Sequence, residues 1–512
     1  MYNIGFSTII KLYMKSLSQL LFTATFLLLF GACKTEYKIA ITELENINAP
    51  SLQSFAHAKS GSEWLLFAGR TNSKDSLNGG LHDLNGDYSE TSFTPPSFNE
   101  EIFVYNVETD EVPQKVSIAK MIETVHKKFP SYSLDTLNKY KSVFKNTNAL
   151  VRQKGDFLYV IGGYGAIDFA KPKNGYITYN QIAKIHVPSL IAFVKGDFKN
   201  VVASKLFAFG QNKSLVSTGG ELFYIGDTFY MVGGHNFTSN SQKYVDAVYS
   251  FNLSPKIEKK DTLKQVLNIS LNTPISDVSD PTGASSDATS IFRRRDGPIT
   301  PSIYHNNITK ELEASIAIYA GVFKPGEDLE AWDDAIYVHP NWSGENNRLY
   351  TYDKAYNQNN FNVYSAPGIV GYDKDNKTVH TFLIGGIGDG KRAPKHHLSG
   401  FTNSGVHIQL NVGGSPLKST NTVFSENLFG GSNKNSPPFY GAEAIFFQSE
   451  SATTIKQSHE IIDMKALFKN GNNVDVGYIF GGIEAFTSNP GTYGKRKSRA
   501  SNKIWKVTFK KE

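Results

Sequence analysis

Apolar residues in this chain come in short unbroken runs that end on glycine. Trp64–Phe67 runs into Ala68-Gly69, Leu158–Ile161 into Gly162-Gly163 and Phe229–Val232 into Gly233-Gly234. The same design recurs where Ala317–Tyr319 meets Ala320-Gly321, Thr381–Ile384 meets Gly385-Gly386 and Tyr478–Phe480 meets Gly481-Gly482. Runs this short, rich in aromatic and branched residues and bounded by glycine, predict strands covered on both faces rather than helices. The glycines recur about 65 to 95 residues apart, which implies one repeated unit carrying loops of unequal length.

Each glycine-ended run has strand-like companions. Before it lie Leu52–Ala56, Asn148–Val151, Val216–Gly220, Pro298–Tyr304, Ser365–Val370 and Ala442–Phe447. Lys154-Gly155-Asp156, Ile225-Gly226-Asp227 and Asp373–Lys377 have the chemistry of hairpin tips joining the two. The last of these lacks the glycine and distal glutamate of an EF-hand calcium loop. After the glycines, Glu101–Tyr105, Gln181–Val187, Val245–Phe251 and Asn502–Val507 read as third strands. Gln114–Ser117, Val201–Ser204, Gln265–Asn268 and Arg348–Thr351 read as fourth strands.

A four-stranded antiparallel unit repeated radially is a propeller blade. The sixth unit runs out of chain after three strands, whereas Tyr37–Thr42 has no unit of its own. The expectation is that this N-terminal strand joins the last blade and closes the ring, leaving no bare sheet edge. Ile118, Met121, Ile122, Val125 and Phe129 fall at helical spacing and Pro130 stops them, so a short helical insertion is expected near 117–129.

The order of hydrophobic strand, glycine pair and aromatic strand resembles the kelch repeat. The resemblance spans residue 37 to the end and implies an all-β, six-bladed propeller, with seven blades left open. The chain departs from the kelch pattern at Ala68 and Ala320, where the first glycine is replaced, and in the scarcity of a tryptophan near each blade's end.

Composition narrows the function. A formal charge of +6 over 512 residues is too mild to imply nucleic acid. Lys495–Arg499 is the densest basic run, but no aromatic residue interleaves it, as a nucleic-acid groove would require. Lys11 and Lys15 precede the apolar run Leu20–Phe30, and Gly31-Ala32-Cys33 follows. That order reads as an export signal over 1–32, too short for a membrane span. Phe30-Gly31-Ala32-Cys33 resembles the lipobox of bacterial exported lipoproteins, which implies lipidation of Cys33, a short tether over 33–36 and placement in the outer membrane. Cys33 is the chain's single cysteine, so no internal disulfide can form.

Topology places the segments after the glycines and those before the inner strands on one rim, where the longest loops gather and where function tends to reside. Candidate ligand-binding residues there are Arg70, His82, Asn148, His235, Asn236, Arg293, Arg294, Arg295, Asp296 and Glu443. Arginine forks match carboxylates, and three in succession call for anionic partners. His396-His397 have no partner at metal-ligand spacing, so no metal and no cofactor is expected. Two readings follow. One is a membrane-anchored binding or scaffold module for a glycan or protein ligand. The other is a sugar-acting enzyme of mutarotase, epimerase or lyase type, with Glu443 and either His235 or Tyr440 as its acid/base pair.

Overall fold

A computed structural model describes residues 36–512, apart from 46, 73–92, 258–264, 280, 282–283, 286–288, 323, 326–330, 342–347, 359–362, 389–399, 415–416, 425–426, 430–436 and 487–497. The expected signal, Cys33, His82, His396-His397 and Lys495–Lys497 lie outside the described residues.

Four-stranded antiparallel sheets stand in a ring, the arrangement of a β-propeller. Blade one comprises Ala56–Ser60, Glu63–Phe67, Glu101–Asn106 and Gln114–Ser117. Blade two comprises Leu150–Lys154, Phe157–Ile161, Gln181–His186 and Phe207–Gln211. Blade three comprises Glu221–Ile225, Thr228–Val232, Tyr249–Ile257 and Gln265–Leu271. Blade four comprises Ile299–His305, Leu312–Tyr319, Ala335–Val338 and Tyr350–Asp353. Blade five comprises Gly368–Asp373, Thr378–Ile384, Gly405–Asn411 and Lys418–Val423. Blade six takes Ile445–Gln448, Asn473–Phe480 and Ile504–Lys511 from the C-terminal end, and Tyr37–Glu43 from the other. By hydrogen bonding alone the ring separates into five large sheets. The outermost strands of blades two and three touch through one parallel pair, Phe209 and Val266, and fuse two blades into an eight-stranded sheet.

The ring closes as the sequence predicts. Tyr37–Glu43 pairs antiparallel with Ile504–Lys511 over its full length, from Tyr37 opposite Lys511 to Glu43 opposite Trp505. Ile39 is buried there, and the Tyr37 hydroxyl crosses to blade five and donates to Asp373.

Alternation along each strand explains the unbroken apolar runs. In Thr228–Val232, Phe229 and Met231 pack toward blade two, while Tyr230 and Val232 pack toward blade four. Successive residues point to opposite faces, so a strand with a blade on either side needs apolar residues at every position. The core is accordingly divided among the six blade junctions.

The glycines hold the blades at close quarters. Gly162 has φ +66°, and a Cβ there would lie 2.0 Å from the Ser217 carbonyl oxygen of the next blade. A side chain would be strained by the dihedral and blocked by the neighbour.

Where the structure departs from the sequence reading, insertions and single bridges are the cause. Val201–Ser204 is not a strand; helix Val187–Val194 precedes it, and the outer strand is Phe207–Gln211. Leu52–Phe55 and Val216–Gly220 are not strands; each bends at a left-handed residue, Ser54 or Gly219, ahead of the inner strands Ala56–Ser60 and Glu221–Ile225. They join the ends of the second strands through single pairs, Gln53 with Arg70 and Thr218 with His235. The expected helix is present as Ile118–Lys128, with the Ser117 hydroxyl accepting from the Lys120 amide. It is not alone, since Leu134–Lys139, Val187–Val194 and Met464–Leu467 are also helical.

Candidate functional site

Six residues surround the ring's axis, one just ahead of each inner strand. Ser54, Asn148, Gly219, Asp296, Ser365 and Glu443 all adopt positive φ, between 50° and 68°. Five are not glycine, and a left-handed backbone costs an ordinary residue about 1–2 kcal/mol. The recurrence of that cost has a structural reason. The amide of Asn148 donates to the Ser54 carbonyl, Gly219 to Asn148, Asp296 to Gly219, Ser365 to Asp296 and Glu443 to Ser365, at 2.7–3.2 Å. At the remaining junction the Ser54 hydroxyl donates to the Glu443 carboxylate at 3.0 Å. The left-handed turn swings each amide toward the preceding blade, and the result is a belt tying the blades together at the axis.

The residue after each belt position is small, except for Phe55: Ala149, Gly220, Gly297, Ala366 and Ala444. The blade's own last glycine backs directly onto it. A Cβ on Gly386 would lie 2.9 Å from the Ala366 Cβ, and one on Gly482 would lie 2.6 Å from the Ala444 amide.

Below the belt the axis opens into a cavity of about 890 Å³ lined by all six inner strands, extending to the hairpin tips on the opposite face. Two of its carboxyls are out of ordinary balance. At the belt end, burial raises the Glu443 carboxyl well above the usual carboxylate range. The nearby charge of Asp296 adds to this, while hydrogen bonds from Ser54 and Ser365 oppose it. Two positions beyond the belt residue Gly219, burial pushes Glu221 up to about 7, and the Arg152 guanidinium only partly offsets this. His57 sits between the Phe55 and Phe447 rings and is pushed down to about 4, mainly by burial. It is neutral at physiological pH. Lys59 is lowered by burial and donates to the Gln448 carbonyl.

The sequence-derived candidates divide into two groups. Asn148, Asp296 and Glu443 meet at the belt and line the cavity. The other described candidates lie on the far side of it, in or beside a five-stranded sheet built from Tyr164–Ala166, Tyr176–Thr178, His235–Thr238, Ser241–Val245 and Ala284–Ser285, or within the blades. Arg295 joins the two levels, because its Nε lies 2.8 Å from Asp296 Oδ2 and its Nη1 lies 3.3 Å from His235 Nε2. Burial holds His235 well below its usual range, so this imidazole is neutral; it stacks on Phe237 and Tyr244 and meets Gln242 through Nδ1. Asn236, its strand neighbour, pairs across to Lys243.

The remaining arginines have protein partners. Arg294 is fully buried, 2.6 Å from Asp334, under the Trp332 ring and donating to the Ala320 carbonyl. Arg293 lies over Tyr244, and its carbonyl accepts from Trp332. Arg70 is buried against Phe93 and Ser97. Tyr440 faces Glu484, which Arg499 holds at 2.6 Å, and packs on Trp505 rather than on the cavity. The charged group that the fold sets beside Glu443 is Asp296, whereas His235 and Tyr440 meet other partners.

Sequence reasoning missed Arg152, Glu221, His57 and the cavity itself. The signal was available in the phase of the belt positions, five of the six followed by a small residue and then by an inner strand. No group of three or more metal-ligating side chains occurs among the described residues. None of the described helices is long and apolar enough to cross a membrane. The chain matches no known family model and no curated protein.

Proposed function

We propose that this protein is an exported, lipid-anchored kelch-like propeller that binds a small hydroxylated ligand, saccharide in class, in its axial cavity. The observation that carries this reading is the belt end of the cavity. There Ser54 and Ser365 hydroxyls, the Asn148 amide and the Glu443 and Asp296 carboxylates converge on one concave surface. Alternating donors and acceptors in a largely preformed pocket suit a polyol, whose hydroxyls both give and take hydrogen bonds. The fold itself suits a binding role and leaves the chemistry to the site.

A second reading has its own support. Glu443, whose carboxyl is raised to about 7, stands beside Asp296, which is ion-paired with Arg295. One carboxyl able to give a proton and another able to take one are what interconversion of sugar anomers or epimers requires.

A panel of mono- and oligosaccharides, titrated calorimetrically and followed for anomer exchange by NMR, tests both readings. The binding reading expects a saccharide whose affinity falls at least tenfold in Glu443→Gln while Arg293→Ala leaves it unchanged. The enzyme reading adds accelerated exchange that Glu443→Gln abolishes. Binding indifferent to Glu443 overturns both. The lipid anchor rests on the Phe30–Cys33 sequence, and equal palmitate labelling of the natural chain and Cys33→Ala would remove it.

A further inference from the structure

In five blades the inner strand reaches the second through two to six residues. Blade six instead makes an excursion over 449–472 between Ile445–Gln448 and Asn473–Phe480. Part of it lies across the cavity mouth. Ile461–Asp463 pairs in parallel with the inward edge of blade five, placing Val370 opposite Ile461, Gly371 opposite Ile462 and Tyr372 opposite Asp463. The segment folds back on itself through Asp463 to Thr453 and Ile455 to Ile461, and Ile455, Ile461 and Ile462 are buried. This base is firmly seated.

The tip, Lys456–Glu460, is held differently. His459 and Glu460 line the main cavity, and the whole tip lines a smaller one of about 340 Å³ against the hairpin tip of blade three and the first two strands of blade four. Glu460 reaches Arg152 of blade two, whose guanidinium lies on the Phe223 ring. The Glu460 side chain is 41% exposed, so this bond is screened and weak. The other end of the cavity is bounded by the belt, with backbone hydrogen bonds at five junctions. The tip is the weaker cover of the two.

We infer that 449–463 is a strap over the cavity, hinged on blade five and latched to blade two by Glu460 and Arg152, and that molecules enter by release of that latch. The inference concerns access alone and holds whichever ligand the cavity takes, so it stands or falls apart from the saccharide reading.

Substituted-cysteine labelling tests it without a ligand. Cys33→Ala leaves the chain free of cysteine, and Ser365→Cys then places one thiol at the belt end of the cavity. Ser54→Cys serves as a second probe should the first not fold. The alkylation rate by iodoacetamide is compared between the natural strap, Glu460→Gln, and a strap in which Lys456–Glu460 is replaced by two glycines. Val112→Cys, on an exposed site, is the control for reagent and fold. The latch predicts about two- to five-fold faster labelling at position 365 in Glu460→Gln, a larger increase with the shortened tip, and no change at 112. Equal rates in all three straps would show that the reagent enters elsewhere and would overturn the inference.

Discussion

Replacing Gly162 by alanine tests how the blades are held together. The residue has φ +66°, and the added methyl would lie 2.0 Å from the Ser217 carbonyl oxygen, an atom of buried backbone. That carbonyl also accepts the Gly163 amide at 3.0 Å, one of the bonds between blades two and three. Left-handed strain costs alanine about 1–2 kcal/mol. Displacing the carbonyl strands a buried donor and acceptor, at about 1–3 kcal/mol more. The expected loss is therefore about 2–5 kcal/mol. Gly155→Ala is the matched control, with φ +56° at an exposed hairpin tip and nothing within 4 Å of the new methyl. It carries only the strain, about 1–2 kcal/mol, and the gain from stiffening the unfolded chain is common to both variants. Urea unfolding followed by tryptophan fluorescence gives the two midpoints. Equal shifts, or a smaller shift for Gly162→Ala, would refute the claim that glycine is required there by the neighbouring blade.

Three further outcomes follow from the same geometry. Glu443 and Glu221 have folded-state pKa values raised from 4.5, Glu221 to about 7. The folded protein thus holds more protons than the unfolded chain between those limits, and stability falls as pH rises from about 4.5 to about 7; unfolding at a series of pH values should show this slope flattened in Glu443→Gln/Glu221→Gln. Asp334→Ala leaves the fully buried Arg294 without its counter-charge and should cost about 3–5 kcal/mol, measured by urea unfolding, without altering ligand affinity. Ile39→Ala, in the closing strand, should cost about 2–5 kcal/mol, whereas Lys38→Ala, which loses an exposed pair with Glu512, should cost about 0–1 kcal/mol.

The ring was legible because every second strand is sandwiched between blades. Sandwiching demands continuous apolar runs, and close approach demands glycine at their ends, so Leu158–Gly163 and Phe229–Gly234 announce themselves. Closure was legible by elimination, since Tyr37–Thr42 had no unit and the last unit lacked a strand. The inner strands were harder to bound. Val216–Gly220 and Leu52–Phe55 have the composition of strands, but each carries a left-handed turn, at Gly219 or Ser54, that delays the ladder. Helix Val187–Val194 was hidden because its residues are nearly all buried, which erases the helical period and lets Val187 read as a strand end. At the site, Glu443, Asp296 and Asn148 were within reach because they precede inner strands. Of the counter-charges to Arg294 and Arg295, Asp296 is next in the sequence, but Asp334 comes from a loop that the triplet alone does not reveal. Arg152 and Glu221 look like ordinary polar strand positions, and nothing short of the assembled ring shows that they face one cavity.

The most direct test of the account is a crystal structure of the chain soaked with the best-binding saccharide of the panel. The account predicts the sugar inside the axial cavity, its hydroxyls against Ser54, Ser365 and Glu443. A sugar seated on the opposite face, among Arg293, Asn236 and the five-stranded sheet, with the cavity free of it, would contradict the account.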